Sequence, residues 1–298
     1  MKCNYNVITK LKCNYFVITK WLLYYIVITF CRPVLALTFD TPLVEGRLVY
    51  GHLSPDEHLF VQESYLNIGK DNELFEITPN TDGRFVLGIP QDATQLSLTI
   101  SGPSGSKTMD FSVSVRKWDE EIVTGLPPKK VSPNPADQAR ITAEALEMRT
   151  IRQKSIFPGI PEKWALPVPD FRRISSRFGS RRILNNIKKQ GHSGTDFAAP
   201  IGTPVVAPAA GRVVYINPDV FLTGQTVMVD HGGGVFSSYS HLNDIKVKLN
   251  QDLKMGDSIG SVGQTGRATG PHLHFTVTWY GVRVNPEDLL PLPDEAKP

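Results

Sequence analysis

The chain has 298 residues, 32 basic and 29 acidic side chains and a formal net charge of +3. That length allows two domains with cores of their own, and the abundant Gly and Pro point to a turn-rich, largely β chain. The basic excess is confined to Lys2, Lys10, Lys12, Lys20 and Arg32; beyond residue 36, 27 basic residues face 29 acidic ones, a net −2, so charge gives nucleic-acid binding no support.

Residues 1–36 read as a secretory signal peptide: a Lys-bearing start, an apolar core Trp21–Phe30, and Val34-Leu35-Ala36 as a small-residue cleavage site before Leu37. The apolar core is shorter than the ~20 residues a spanning helix needs, and Arg32 and Pro33 interrupt it. The alternative is an uncleaved anchor, which is the only membrane contact the sequence suggests. Lys2–Lys10 recurs nearly unchanged as Lys12–Lys20; so few short copies cannot build a solenoid, and we read them as duplication upstream of the signal. Cys3, Cys13 and Cys31 all lie in this leader, so a cleaved chain has neither disulfides nor Cys ligands.

Over residues 37–118, short alternating segments between turn signals (Gly46–Tyr50, Leu59–Gln62, Gly83–Gly88, Leu96–Ile100, Phe111–Val115) predict a β-sandwich-like accessory domain. His52 and His58 have no third ligand at a sensible spacing and read as solvated loop residues. Residues 119–170 form a connector. Its Pro-rich stretch Gly125–Pro135 is semi-rigid by composition, and it leads into a helix over 135–153 with Asn134 as N-cap and Pro135 at N1. Ile141, Ala145 and Met148 make one apolar stripe on that helix. A second Pro-marked stretch, Phe157–Pro169, closes the connector.

Residues 171–292 are again β-like, with strands expected at Gly211–Ile216, Thr226–Asp230 and Val235–Leu242, and 293–298 form a tail. Ala268–Phe275 runs into an apolar, β-prone segment. Residues i and i+2 of a strand share a face, so His272 and His274 project together while Leu273 turns into the core. Two imidazoles only begin a metal site, since zinc needs at least three protein ligands. Gly191-His-Ser-Gly-Thr-Asp196 offers more. A helix would bring His192 and Asp196 onto one face, but the glycines favour a loop entering a strand. His192, Asp196 and one of His272 or His274 would supply two nitrogens and a carboxylate oxygen, a set suited to catalytic zinc. His231, beside Asp230 at a strand end, reads as structural. Tyr239, two residues before His241 and so on the same strand face, either stabilises an oxyanion or packs.

Taken together, Arg177-Phe-Gly-Ser-Arg-Arg, His192-Ser-Gly-Thr-Asp196 with Ala-Ala-Pro200 and Gly202-Thr-Pro-Val, Tyr239-Ser-His-Leu242, Gly256-Asp, Gly263-Gln-Thr-Gly266 and Ala268-Thr-Gly-Pro-His-Leu-His274 resemble the lysostaphin-type (LytM-like) zinc endopeptidases of peptidoglycan. The resemblance spans roughly residues 171–292. It implies an antiparallel β peptidase domain with a narrow groove, one zinc per chain held by His192, Asp196 and His274, and two further active-site histidines, His241 and His272. In such a site zinc makes hydroxide available near neutrality, while one histidine handles the water proton and the other donates to the oxyanion; which does which stays open. No Glu lies near the motifs, so a His-Glu-x-x-His mechanism is not supported. Asn185 stands where an asparagine occupies the zinc in latent relatives, so the 181–190 loop is expected to screen the site before activation. The implied substrate is the stem peptides of peptidoglycan, in the periplasm or cell envelope or, alternatively, outside the cell. Residues 37–170 then serve targeting or regulation and leave room for a regulatory protein partner. The competing reading is a catalytically inactive relative that binds and activates a cell-wall amidase; retention of all five site residues favours the enzyme.

Overall fold

The computed structural model describes residues 37–296 apart from 55, 63–64, 66–73, 104, 124–132, 185–186 and 189–190. The expected signal peptide, most of the Pro-rich linker and Asn185 therefore lie outside the described residues. Among the described residues no helix is long and apolar enough to cross a membrane. The fold is mainly β.

The N-terminal strands are β1 (Thr38–Phe39), β2 (Leu48–His52), β3 (His58–Gln62), β4 (Leu74–Ile77), β5 (Arg84–Gly88), β6 (Gln95–Gly102) and β7 (Gly105–Ser112). They form two antiparallel sheets, ordered β1-β2-β5 and β4-β3-β6-β7. In β6 the alternation is plain: Leu96, Leu98 and Ile100 are buried, and the residues between them face outward. Its partner β7 begins well before the expected Phe111 start. The stretch 105–110 is polar, and its strand comes from residue-for-residue main-chain pairing with β6 from Gly102↔Gly105 to Gln95↔Ser112. His52 and His58 sit at strand ends and not in loops, each exposed and partnered, His52 Nε2 with Arg84 at 3.1 Å and His58 Nδ1 with Glu76 at 2.6 Å.

Strand β8 (Glu120–Val123) precedes helix α1 (Pro135–Arg152), whose N-cap Asn134 side chain accepts from the Asp137 amide at 2.8 Å. No α1 residue is fully buried, and Met148 packs with Ile151, not with the expected Ala145, against Tyr215, Val220, Met228 and Phe236. The C-terminal strands are β9 (Arg173–Ser176), β10 (Arg181–Leu184), β11 (Ile187–Lys188), β12 (Thr195–Ala198), β13 (Pro204–Val206), β14 (Gly211–Val220), β15 (Gly224–Asp230), β16 (Val235–Ile245), β17 (Asp252–Leu253), β18 (Ser258–Val262), β19 (His272–Trp279) and β20 (Val282–Val284). The main sheet runs β17-β14-β15-β16-β19-β12-β9, with β18 on β16, β13 on β18 and β20 on β19. A small sheet, β11-β10-β8, joins the connector to the segment before His192 through parallel pairing of β8 with β10.

Residues 35–298 make one compact unit with a continuous core. Gly88 of β5 lies so close to β19 that a Cβ on it would stand 2.7 Å from the Trp279 Cβ. Around this contact, Phe75 meets Tyr280 edge to face at 4.7 Å. Arg116 forks onto Asp288 at 3.1 and 2.7 Å, and the Asn285 amide donates to the Gly46 carbonyl at 2.6 Å. The connector is tied down by buried Asp230, which accepts from Ser155 Oγ and from the amides of Ile156, Phe157 and Gly232 at 2.5–2.9 Å.

Candidate metal and catalytic site

Three strands bring the chemistry together. On β12 and β19, Asp196 lies directly opposite His274, so both side chains leave the same face. His192 precedes β12 in extended backbone, its amide donating to the Ser180 carbonyl at 2.9 Å and its carbonyl accepting from Gly179. Gly194, between the two, lets this segment lie against β19: a Cβ there would be 2.3 Å from the Phe275 carbonyl oxygen. As a result His192 Nε2, Asp196 Oδ1 and His274 Nδ1 converge, with separations of 3.2 Å (His192–Asp196), 2.7 Å (His274–Asp196) and 3.0 Å (His192–His274).

The surroundings fix which nitrogen of His192 is available. Its Nδ1 is 3.0 Å from the Arg177 carbonyl, which can only accept, so Nδ1 carries the proton. Ser176 Oγ, also 3.0 Å away, donates to Glu121 at 2.7 Å and offers Nδ1 a second acceptor. With Nδ1 so occupied, His192 turns Nε2 toward the Asp196 carboxylate oxygen. Either a proton or a metal ion held between the two satisfies such a contact. Burial alone would raise the Asp196 carboxyl, but the hydrogen bonds and charges of His192 and His274 outweigh it and hold the group well below the usual carboxylate range. Two imidazole nitrogens and a carboxylate oxygen about 3 Å apart fit a tetrahedral metal ion, whose ~2 Å bonds place its ligand atoms roughly 3.3 Å from one another. Among the described residues, His192, Asp196 and His274 are grouped with ligand atoms all within 4.8 Å of one another.

His272 and His241 stand beside the cluster. His272 Nδ1 donates to the Gly270 carbonyl at 2.8 Å, and its Nε2 is 3.8 Å from Asp196 Oδ1. His241 Nδ1 donates to the Thr265 carbonyl at 2.7 Å, and its ring centre is 4.8 Å from that of His272 and 6.0 Å from that of His274. Both rings thus keep Nε2 free of these carbonyl bonds. Burial, then His274 and His272, push His241 down to about 3, so the ring is neutral near pH 7.

The backbone places His241 in a way that strand alternation does not foresee. Val227 pairs with Tyr239 and Gln225 with Leu242, so two residues of β16, Ser240 and His241, oppose the single Thr226 of β15. This is a β-bulge, and His241 takes the left-handed conformation, φ 63°, that it requires. The extra residue breaks the expected shared face of Tyr239 and His241. Tyr239 points into the core, fully buried, with its hydroxyl 2.8 Å from Ser237 Oγ. It packs and does not reach the site. Ser237 Oγ is also 2.7 Å from His231 Nε2, while His231 Nδ1 donates to the Ala210 carbonyl at 2.7 Å. His231 is a buried structural group away from the cluster, and burial pushes it down to about 4.

Four residues support the cluster, and three of them, Glu121, Ser176 and Glu287, belong to no motif in the sequence. Ser176, Glu121 and the Arg177 carbonyl orient His192. Glu287, buried in a 3₁₀ turn at Pro286–Asp288, pairs with the Arg177 guanidinium and accepts from Thr195 Oγ1 at 3.1 Å, next to Asp196. Only Arg177 fell within a recognisable motif, and there as one of several basic residues.

Residues 190–286 match the model of peptidase family M23. The chain is 41% identical over 120 residues to the peptidoglycan DD-endopeptidase ShyC of Vibrio cholerae and 43% identical over 120 residues to ShyA of the same organism. These matches take in 39% and 40% of this chain but only 27% and 28% of the relatives, so less than a third of either relative's length is covered. A solved Pseudomonas aeruginosa structure assigned to peptidase M23 is 33% identical, with a TM-score of 0.61, over 83% of this chain and 94% of its own. The chain belongs to peptidase family M23. The M23 match takes in His192, Asp196, His241, His272 and His274, whereas Glu121, Ser176 and Arg177 precede it and Glu287 follows it. In this M23 chain the orientation of His192 therefore depends on segments outside the family's matched core.

Proposed function

We propose that this protein is a zinc-dependent endopeptidase that hydrolyses peptide cross-links of bacterial peptidoglycan and works in the periplasm or cell envelope. The observation that carries the reading is the convergence of His192 Nε2, Asp196 Oδ1 and His274 Nδ1 beside His241 and His272. The endopeptidase names of the matched relatives support the substrate class. His192, Asp196 and His274 would hold the zinc. When bound, it supplies Lewis-acid polarisation of a carbonyl and makes a water acidic near neutral pH.

The chain's own groups do the rest. Ser176 and the Arg177 carbonyl keep the His192 Nδ1 proton in place, so that Nε2 remains a ligand. His241 and His272 each anchor Nδ1–H on a backbone carbonyl and so present Nε2 to the substrate. Either can accept the proton of the attacking water, and a ring so protonated can then donate to the developing oxyanion or the leaving amine.

The test is digestion of purified sacculi by the metal-loaded protein, with released fragments identified by mass spectrometry and a chelated control. Cleavage of cross-linked peptides that is lost on chelation and restored by zinc is expected. Intact cross-links with zinc bound would refute the reading; amidase activity appearing only with an added amidase would replace it with the activator role.

A further inference from the structure

The floor of the site continues along β16 and β19. Ser240 lies opposite His274, Ser238 opposite Thr276 and Phe236 opposite Thr278, and on β20 Arg283 lies opposite Thr278. Directly opposed residues share a face, so this row extends the face that carries the metal cluster. Helix α1 packs on the same face, and its last residue, Arg152, reaches over the row to donate from Nη2 to Ser238 Oγ at 3.2 Å.

Two arginines therefore serve this one face, and among the described residues no carboxylate is paired with either. The nearby acids of α1 are engaged elsewhere: Glu144 accepts from Arg140 at 2.8 Å and from the Phe221 amide at 3.0 Å, and Glu147 bonds Tyr215. Arg152 Nε is buried without a hydrogen-bond partner, and so is Thr278 Oγ1. Burial, followed by the like charge of Arg283, pushes Arg152 down to about 10. An arginine held against another, with an unmet buried donor, is costly unless an anion completes it. Arg283 keeps part of its side chain at the surface although burial lowers its guanidinium, so a ligand can approach along the Arg283 edge while Phe236, Ser238 and Thr278 lie buried beneath.

We propose that Arg152 and Arg283, with Arg152 braced by Ser238, form a subsite for a free carboxylate of the substrate peptide. Two to four residues of strand separate it from His274, about 7–13 Å at ~3.3 Å per residue, so the carboxylate lies within about four residues of the cleaved bond. A guanidinium fork matches a carboxylate in two parallel hydrogen bonds, and the subsite would select substrate ends by charge. This inference rests on the peptidase reading, since it supposes a peptide lying along the β16–β19 floor.

The experiment uses the full chain stripped of metal, so that binding is read without turnover. N-acetyl-D-alanyl-D-alanine and its C-terminal amide are titrated against wild type, Arg152→Ala, Arg283→Ala and the double variant, by calorimetry and by chemical-shift perturbation. The acid is expected to bind at least about tenfold tighter than the amide in the wild type. Each single variant should reduce that ratio, and the double variant should bring it near one. Equal binding of acid and amide, no binding of the acid at 10 mM peptide, or a preference that survives in the double variant would overturn the subsite. Arg283→Ala, at an exposed position, guards against loss through misfolding. If the metal-loaded protein leaves sacculi intact while the carboxylate preference and its loss in the variants hold, the proposed activity fails and the subsite stands.

Discussion

Gly194→Ala probes how tightly the site is built. The new Cβ would stand 2.3 Å from the Phe275 carbonyl oxygen and 2.6 Å from Thr276 Cγ2, whereas real Cβ contacts essentially never fall below 3.0 Å. The His192–Asp196 segment and β19 must therefore part by at least about 0.7 Å, because the obstructing atom is backbone and cannot rotate away. That shift falls between the segment bearing two of the proposed ligands and the strand bearing the third, whose present separations are 2.7–3.2 Å. Misplacement on the scale of 1 Å can cost ~100-fold in rate, and overpacking costs about 1–3 kcal/mol in stability. We expect zinc affinity to fall by at least about tenfold and kcat/KM by ~100-fold, with a fall of about 5 °C in Tm. Competition with a chromophoric chelator measures the first, a cross-linked peptide assay the second and differential scanning fluorimetry the third. A soluble Gly194→Ala protein with wild-type zinc affinity and turnover would refute the reasoning.

Three other outcomes follow from the same geometry. His274→Ala is expected to lose stoichiometric zinc in elemental analysis, while His241→Ala keeps the metal and loses ~10²–10⁴-fold in kcat; equal zinc loss in both would contradict the division between ligand and proton carrier. Ser176→Ala removes one of the two acceptors on His192 Nδ1 and should weaken zinc about 10–100-fold in the chelator competition, as outer-shell partners generally do. His231 titrates near 4 when folded against about 6.5 unfolded, so the unfolded chain binds more protons between these values and stability falls as pH drops through that window, by up to about 3 kcal/mol. Urea midpoints at pH 7 and pH 4.5 should show a smaller drop in His231→Gln than in wild type; equal drops would show that His231 stays charged or exposed.

What could be read in the sequence was local. The cap of α1 needs only Asn134, Pro135 and Asp137, and the shared face of His272 and His274 needs only the two-residue period of a strand. Asp196 and His192 were legible as donors, though their meeting with His274 depends on how closely β12 can approach β19. The face of His241 was misread because its bulge is set from outside β16: the His241 amide donates to the Thr223 carbonyl, and its ring is held by Thr265. Nothing in Tyr239–Leu242 announces an extra residue. Glu121, Ser176 and Glu287 were silent for a related reason, since each acts on a partner 16 or more positions away, through contacts that have no period. Strand β7 was displaced because its polar half is held by main-chain pairing, which leaves no hydrophobic trace.

The seam at Gly88 and Trp279 bears on how chains of this build can be recombined. Trp279 ends the strand that begins with His272, and it is fully buried, with the N-terminal residues Gly88 and Phe75 among its neighbours. Excising residues 37–118 would leave an indole, Val284 and the unpaired Asp288 carboxylate facing water. The C-terminal half is thus not an interchangeable cassette. Its lineage could exchange the leading β region only for another that supplies a gap the width of a glycine at the same place. Inheritance of the two halves is linked by shape, even though every side chain proposed for the chemistry belongs to one of them.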